Sequence, residues 1–321
     1  MQTKAALVVD AGNIVGESVV WDDRTSMLYW VDIIGRKIFA WQQGKTAQSW
    51  AMEEIVTSIG LCTDSRVILG LAKQVALWDF HAPPVPLVAI EPDQPQTRLN
   101  EGVVGPDGCF WVGTMQNNIA ADGSPMEITA AMGRLYRVHP DGRVDSLSDD
   151  RFGITNTLVW TDDGQLITAD TLENALYAYC ITPAGLTDRR TVLKGFPRGL
   201  PDGSCRDAEG FIWNCRVVGG GCVIRIAPDG RVDKVIELPC SWPTSCAFGG
   251  PALDQLFVTS ARFTMSPQLL AANPQEGGVF CVDTGHRGAL PHRFLSKPPF
   301  STNCKTGGPQ IRHTRQKSVS T

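Results

Sequence analysis

The residues of this sequence best able to do chemistry are polar side chains that recur at one position of a repeating pattern. They are Glu17, Ser58, Asn100, Asn156, Asp202 and either Thr244 or Ser245. Carboxylates and amides offer oxygen ligands, and an all-oxygen set favours Ca²⁺, Mg²⁺ or Mn²⁺. Two ionised carboxylates that face each other also repel unless a cation or protons neutralise them. We therefore expect a metal site, although a water-filled polar channel explains the serine and threonine well.

Short β-strands must position these residues. Alternating runs such as LYWVDI, CFWVGTM and GFIWNCRV are bounded by the turn sequences PDG, DDG and AEG. Six such units open at Gly16, Ser58, Asn100, Asn156, Asp202 and Thr244, with spacings of 42, 42, 56, 46 and 42 residues. A four-stranded repeat of this length is typical of a propeller blade. The pattern predicts an all-β fold, a six-bladed β-propeller over residues 1–295; a β-sandwich or a two-domain β protein would not require six units in matched phase.

The propeller model explains why these polar residues matter. The innermost strand of each blade lines the central channel, so one repeat position points to one place in all six blades. An insertion at residues 116–132 lengthens the third unit, and we expect it on the binding face. Residues Ala5–Val9 are predicted to close the ring by pairing near Gly278–Asp283. The stretch Met265–Ala272 is predicted to form a short helix.

Composition narrows the class of partner. The chain has 321 residues, 43% of them hydrophobic, and a net charge of -4, which gives no reason to expect nucleic acid or an anionic membrane as a partner. It shows neither the apolar stretch of a signal peptide nor a run long enough to span a membrane, so we expect a cytoplasmic protein, a monomer or a weak homo-oligomer. Residues 296–321 carry five Lys or Arg and no Asp or Glu. This basic tail is expected to be disordered or non-native, with a docking segment as the alternative.

Cysteine and histidine patterns exclude two other kinds of site. The ten cysteines are scattered without a CxxC pair, so we expect no zinc–thiolate site and interpret most of them as small buried residues. None of the five histidines falls at the repeated position, and no GxSxG motif occurs. A Ser-His-Asp hydrolase is therefore not expected.

Several segments together resemble one known family. They are GESVVWD (16–22), RLNEG (98–102), ITNTLVW (154–160), LPDGSCRDAEG (200–210) and TSCAFGG (244–250). From about Val15 to about Phe280 the chain is similar to the family of senescence marker protein 30 (regucalcin), gluconolactonase and luciferin-regenerating enzyme. The resemblance implies a six-bladed propeller, one divalent metal ion in the channel, and lactonase activity on a small-molecule sugar lactone.

The resemblance also implies roles for individual residues. The metal ligands of the family match Glu17, Asn156 and Asp202, and its substrate-binding R-x-N pattern matches Arg98 and Asn100. Calcium is the expected metal, with Mg²⁺, Mn²⁺ or Zn²⁺ as alternatives. The metal would act as a Lewis acid, with Asp202 as the catalytic general base.

The chain departs from the family pattern at three positions near these residues. Thr157 replaces the usual Gly after the metal-binding Asn, and it could narrow the cavity or add a hydroxyl. Glu101 stands where Asp is common, and Asn118 takes the place of an acidic residue that contacts substrate in some relatives. We expect Glu101 and Asn118 to bind substrate and the departures to affect its identity. A calcium- or sugar-binding propeller without catalysis and a phosphotriesterase-like hydrolase remain as alternatives.

Overall fold

The chain folds as six four-stranded antiparallel sheets arranged in a ring, as the sequence predicted. The computed structural model describes residues 5–296, so the expectation for the basic tail lies, apart from Ser296, outside the described residues. Four of the sheets contain, in chain order, β2 (Gly16–Asp22), β3 (Met27–Asp32), β4 (Lys37–Trp41) and β5 (Gln48–Ala51); β6 (Val56–Leu61), β7 (Val67–Leu71), β8 (Gln74–Trp78) and β9 (Val85–Ala89); β10 (Thr97–Val104), β11 (Phe110–Gln116), β12 (Leu135–Val138) and β13 (Val144–Ser146); β14 (Thr155–Trp160), β15 (Gln165–Asp170), β16 (Ala175–Thr182) and β17 (Gly185–Lys194).

The last two sheets complete the ring. They contain β18 (Leu200–Arg206), β19 (Ile212–Val217), β20 (Cys222–Ile226) and β21 (Val232–Glu237); and β22 (Pro243–Gly249), β23 (Gln255–Ser260), β24 (Val279–Asp283) and β1 (Ala5–Val9). We number these six sheets as blades 1 to 6, starting from the sheet of β2. A helix, α1 (Pro267–Ala272), lies between β23 and β24, where a short helix was predicted.

The N-terminal strand closes the ring as predicted. β1 runs antiparallel to β24, with Ala5 opposite Val282 and Leu7 opposite Phe280. The innermost strands β2, β6, β10, β14, β18 and β22 each contact the next, and β22 contacts β2. The chain thus forms a closed propeller around one channel.

Aromatic side chains pack between neighbouring blades. Trp111 of blade 3 meets Trp160 of blade 4 edge to face with ring centroids 5.4 Å apart, and Trp213 of blade 5 meets Phe248 of blade 6 at 5.6 Å. Such pairs add to the free energy gained from apolar burial. The repeated tryptophans therefore hold the blades together.

All six innermost strands carry an irregularity at the same level of the channel. The register with the second strand shifts between Glu17 and Val20, Val56 and Ser58, Leu99 and Gly102, Asn156 and Leu158, Pro201 and Ser204, and Pro243 and Cys246. A β-bulge places two residues opposite one and re-aims their side chains. Adjacent residues such as Glu17 and Ser18 therefore line cavities at opposite ends of the channel.

A segment after β24 crosses one mouth of the channel. We call residues 284–296 the C-terminal strap. Its Arg287 carbonyl accepts a hydrogen bond from the Ala208 amide at 2.7 Å, and its Phe294 amide donates to the Leu61 carbonyl at 2.8 Å. The strap thus connects blade 5 to blade 2 across that end. No helix among residues 5–296 has the length and apolar character needed to cross a membrane.

Candidate active site

The mouth opposite the strap opens into a cavity of about 150 Å³, which we call the site cavity. Its polar lining residues are Glu17, Arg98, Asn100, Asn118, Asn156, Thr171, Asp202 and Thr244. Glu17, Asn100, Asn156 and Asp202 occupy the repeated channel position of blades 1, 3, 4 and 5, and Thr244 occupies it in blade 6. The fold therefore brings together six of the seven residues that the sequence predicted as a site.

Two carboxylates are buried in this cavity. The exposed fraction is 8% for Glu17 and 6% for Asp202. Burial raises the pKa of Glu17 well above its usual range, and the negative charges of Asp202 and Glu101 raise it further. Burial and the charge of Glu101 likewise raise the pKa of Asp202. The pair therefore needs protons or a cation at neutral pH.

Asn156 presents its amide oxygen to the other polar groups of the site. Its Nδ2 donates to the hydroxyl of Thr171 at 2.8 Å, and that hydroxyl donates in turn to the carbonyl of Pro201 at 2.8 Å. The Oδ1 atom accepts a long, 3.5 Å bond from Asn100. This chain of donors fixes which end of the amide is an acceptor.

These three residues could hold one hard divalent cation. Glu17, Asn156 and Asp202 supply two carboxylates and an oriented amide oxygen, which is the ligand chemistry that Ca²⁺ and Mg²⁺ favour. Across residues 5–296 no group of three or more His, Cys, Asp and Glu is placed to hold a metal. A site here therefore depends on Asn156, and the raised pKa values of both carboxylates show that the donor set would gain from a cation.

Arg98 forms a polar arm beside the carboxylates. Its Nη2 donates to Asn118 Oδ1 at 2.8 Å, and its Nη1 donates to Asn100 Oδ1 at 2.8 Å. The amide of Asn100 donates to the carbonyl of Thr155 at 2.9 Å. Burial lowers the pKa of Arg98 to about 10, so the guanidinium stays charged at neutral pH. In the described chain it is the only Lys or Arg that lines the site cavity.

Glu101 lies elsewhere, which corrects one expectation. It lines a second cavity of about 190 Å³ at the strapped end of the channel, whereas its neighbour Asn100 lines the site cavity. The bulge between Leu99 and Gly102 separates the two side chains. Burial raises the pKa of Glu101 to about 7. Glu101 therefore does not face the cavity in which Asn100 is expected to bind substrate. It affects the pKa values of Glu17 and Asp202 through its charge.

Two other positions do not reach the site cavity. Thr157, at a left-handed φ of 58°, directs its hydroxyl to the carbonyl of Asp202 at 2.6 Å, so it joins blades 4 and 5 rather than narrowing the cavity. Ser58 is fully buried, and its hydroxyl lies where a Cβ on Gly70 or Gly102 would clash. At the repeated polar position, the residue of blade 2 therefore packs against its neighbours and does not line the site cavity.

The sequence did not reveal the apolar part of the lining. It includes Ile33, Ile34, Ile119, Ile154, Trp242 and Phe263, all outside the strands. Apolar residues in turns were the available signal, as in D-I-I-G at 32–35. Ile119 and Asn118 come from the predicted insertion, which therefore does contribute to the site face.

Comparison with known proteins identifies the family of this fold. A family model described as SMP-30/Gluconolactonase/LRE-like region matches residues 15–262. An L-arabinolactonase of Azospirillum brasilense is 33% identical over 92% of this chain and 97% of the relative. A 6-deoxy-6-sulfogluconolactonase of Pseudomonas putida is 32% identical over 86% and 93%. The crystal structure of a calcium-binding protein, regucalcin, from Agrobacterium tumefaciens superposes with a TM-score of 0.83 at 26% identity, covering 92% of this chain and 98% of that one.

Fold and site together define a six-bladed propeller with two acidic side chains and an amide in one mouth of its channel. The chain belongs to the SMP-30/gluconolactonase/LRE-like family.

Proposed function

We propose that this protein hydrolyses an uncharged sugar lactone to its aldonic acid, with a divalent metal ion held by Glu17, Asn156 and Asp202. The observation that carries the proposal is the buried pair of carboxylates in one cavity with the oriented amide oxygen of Asn156 and the guanidinium of Arg98. At about 150 Å³ the site cavity is smaller than the roughly 300 Å³ or more of cavities for drug-sized ligands, which suits a single-ring substrate. The lactonases among its relatives support the same reaction.

The metal would supply a Lewis acid that polarises the lactone carbonyl and stabilises the developing oxyanion. Glu17 and Asp202 would provide the negative charge that retains such an ion. The bond from Asn156 Nδ2 to the Thr171 hydroxyl leaves the amide oxygen of Asn156 available as a ligand. Every donor is an oxygen, which suits Ca²⁺, Mg²⁺ and Mn²⁺ alike. Calcium is the proposed metal because a similar solved structure is that of a calcium-binding protein.

Asp202 is the proposed general base. As the oxygen of water bonds to the carbonyl carbon, one proton passes from that water to the Asp202 carboxylate. The bond between the carbonyl carbon and the ring oxygen then breaks, and the ring oxygen takes up the proton. Burial raises the pKa of Asp202 in the metal-free protein, whereas a bound cation would keep the carboxylate ionised and able to accept this proton.

Arg98, Asn100 and Asn118 are proposed to bind the sugar hydroxyls. The guanidinium already donates to Asn118, Asn100 and the Leu99 carbonyl. Few of its N–H groups are therefore left to bind an anionic group of the substrate. Arg198 and Arg262 do not line the site cavity of the described chain. This charge balance favours a neutral aldonolactone over a sulfonated or phosphorylated one.

A panel of aldonolactones tests the proposal. Proton release would be followed with a pH indicator, using protein stripped with EDTA and then supplied with Ca²⁺, Mg²⁺, Mn²⁺ or Zn²⁺. We expect hydrolysis of at least one neutral lactone that disappears on stripping and returns with metal. Calcium binding with no hydrolysis of any lactone would instead support a binding protein. Hydrolysis only of an organophosphate triester would support the phosphotriesterase alternative.

A further inference from the structure

Two cysteines meet at the strapped end of the channel. Cys205 on β18 and Cys246 on β22 place their sulfur atoms 3.6 Å apart. They are 41 residues apart in sequence and belong to neighbouring blades, so only the closed ring brings them together. Both side chains line the second cavity.

The surroundings of the pair distinguish it from the other thiols. Cys246 is buried and its sulfur donates to the Trp213 carbonyl at 3.3 Å, whereas Cys205 is partly exposed. Cys215 also approaches Cys246, but it is fully buried and does not line the cavity. A small molecule that enters the second cavity therefore reaches Cys205 first.

The second cavity is open to small molecules beside the strap. Leu290, one of its lining residues, is 55% exposed, and the neighbouring Ala289 is also exposed. An oxidant of the size of a hydroperoxide can reach the pair by this route without passing through the site cavity.

We infer that Cys205 and Cys246 are a modification site that a hydroperoxide converts to a reversible disulfide. The sulfur of Cys205 attacks the peroxide, which yields a sulfenic acid and releases an alcohol, or water from hydrogen peroxide. The sulfur of Cys246 then attacks the sulfenic sulfur, forming the S–S bond and releasing water. Two thiols are oxidised and one peroxide bond is reduced, so the electrons balance.

The geometry limits both the rate and the product of this reaction. A disulfide needs sulfur atoms about 2.05 Å apart, so the two strands or their side-chain rotamers must bring them closer by about 1.5 Å. Burial raises the pKa of the Cys205 thiol, and the scarce thiolate makes the reaction slow compared with that of a dedicated peroxide sensor. The product would join the innermost strands of blades 5 and 6, three residues beyond Asp202.

Mass spectrometry of the oxidised full-length protein tests the inference. The protein would be incubated for hours with hydrogen peroxide, denatured and alkylated, and its thiols counted. We expect the count to fall from ten to eight, a peptide cross-link between Cys205 and Cys246, and full reversal with dithiothreitol. The melting temperature should rise by about 5 °C, because the link closes a long loop in the unfolded chain.

Variants locate the bond. Cys205→Ser and Cys205→Ala should abolish the cross-link, whereas Cys281→Ser, a change at another partly exposed cysteine, should leave it intact. Ten free thiols after oxidation, a cross-link that survives removal of Cys205, or Cys205 overoxidised without a link to Cys246 would each overturn the inference. These measurements do not depend on lactone hydrolysis, so they stand or fall separately from the proposed function.

Discussion

The two ends of the channel are built from the same six strands but differ in chemistry. At the site cavity, residues at the start of the register shift supply Glu17, Asn100, Asn156 and Asp202. At the strapped end, residues one or two positions further along supply Ser18, Glu101, Ser204 and Ser245, and the thiols of Cys205 and Cys246 lie beside them. One end therefore collects carboxylate and amide oxygens, and the other collects mainly hydroxyls and sulfur. The bulge in each innermost strand is what allows one ring to carry two unlike surfaces.

The comparison also shows where negative charge is useful. Two carboxylates share the site cavity with an oriented amide, whereas Glu101 is alone at the other end and its pKa is about 7. Neutralising a carboxylate should therefore affect activity at one end and stability at the other.

The largest expected effect is the loss of activity on Asp202→Asn. The amide keeps the shape of the side chain but removes the base and a metal-ligand charge, so kcat/KM should fall by about 1,000-fold or more. Steady-state lactone hydrolysis with metal in large excess over protein measures it. Glu101→Gln removes the same charge at the strapped end and should change kcat/KM by less than about tenfold. Equal losses from both variants would contradict the division between the two ends.

Stability should respond to Glu101 in a pH-dependent way. Because the folded pKa is raised from 4.5 to about 7, the wild-type protein loses stability as pH rises through this range and Glu101 ionises. Glu101→Gln does not ionise, so relative to wild type it should gain up to about 3 kcal/mol between pH 4.5 and pH 9. Urea unfolding of both proteins across this range measures the difference. A constant difference would mean that Glu101 does not titrate there.

Metal should stabilise the protein more at higher pH. The pKa values of Glu17 and Asp202 are raised, so the metal-free protein is relatively more stable when they are protonated and is destabilised as pH rises. Metal needs the ionised carboxylates, and at a concentration of about 100 Kd it adds about 2.7 kcal/mol. The increase in melting temperature caused by Ca²⁺ should be several degrees at pH 8 and smaller at pH 5. An increase independent of pH would argue against binding by these carboxylates.

Asn118→Ala should lower activity far less than Asp202→Asn. It removes the acceptor that holds Arg98 but leaves the carboxylates intact, so KM should rise by about tenfold with little change in kcat. Glu127→Ala, at an exposed position of the same insertion and outside the site cavity, is the matched control. A fall in kcat without a change in KM would mean that Asn118 acts in the chemical step.

The sequence predicted the parts of the molecule that depend on its period. Matched phase placed Glu17, Asn156 and Asp202 on innermost strands, and ring closure by Ala5–Val9 followed from the same repeat. The period could not say to which end of the channel each of two adjacent residues points, because a bulge changes the alternation of a strand locally. The expectation for Glu101 came from the family pattern, in which it follows Asn100, and adjacency in sequence does not give the direction of a side chain at a bulge either.

Other features depend on tertiary structure alone. Trp242 and Phe263 enter the site cavity from connections between strands, where no periodicity applies. The meeting of Cys205 with Cys246 depends on how closely blades 5 and 6 approach each other, which spacing along the chain does not specify.

The central claim is that one metal ion, held in the site cavity, is required for lactone hydrolysis. Stepwise addition of Ca²⁺ to stripped protein, with hydrolysis and bound calcium measured in the same samples, tests it directly. We predict that activity rises in proportion to bound calcium and reaches its maximum at one ion per chain, and that Asp202→Asn shows neither change. Full activity in the stripped protein, or activity that does not follow bound metal, would contradict the claim.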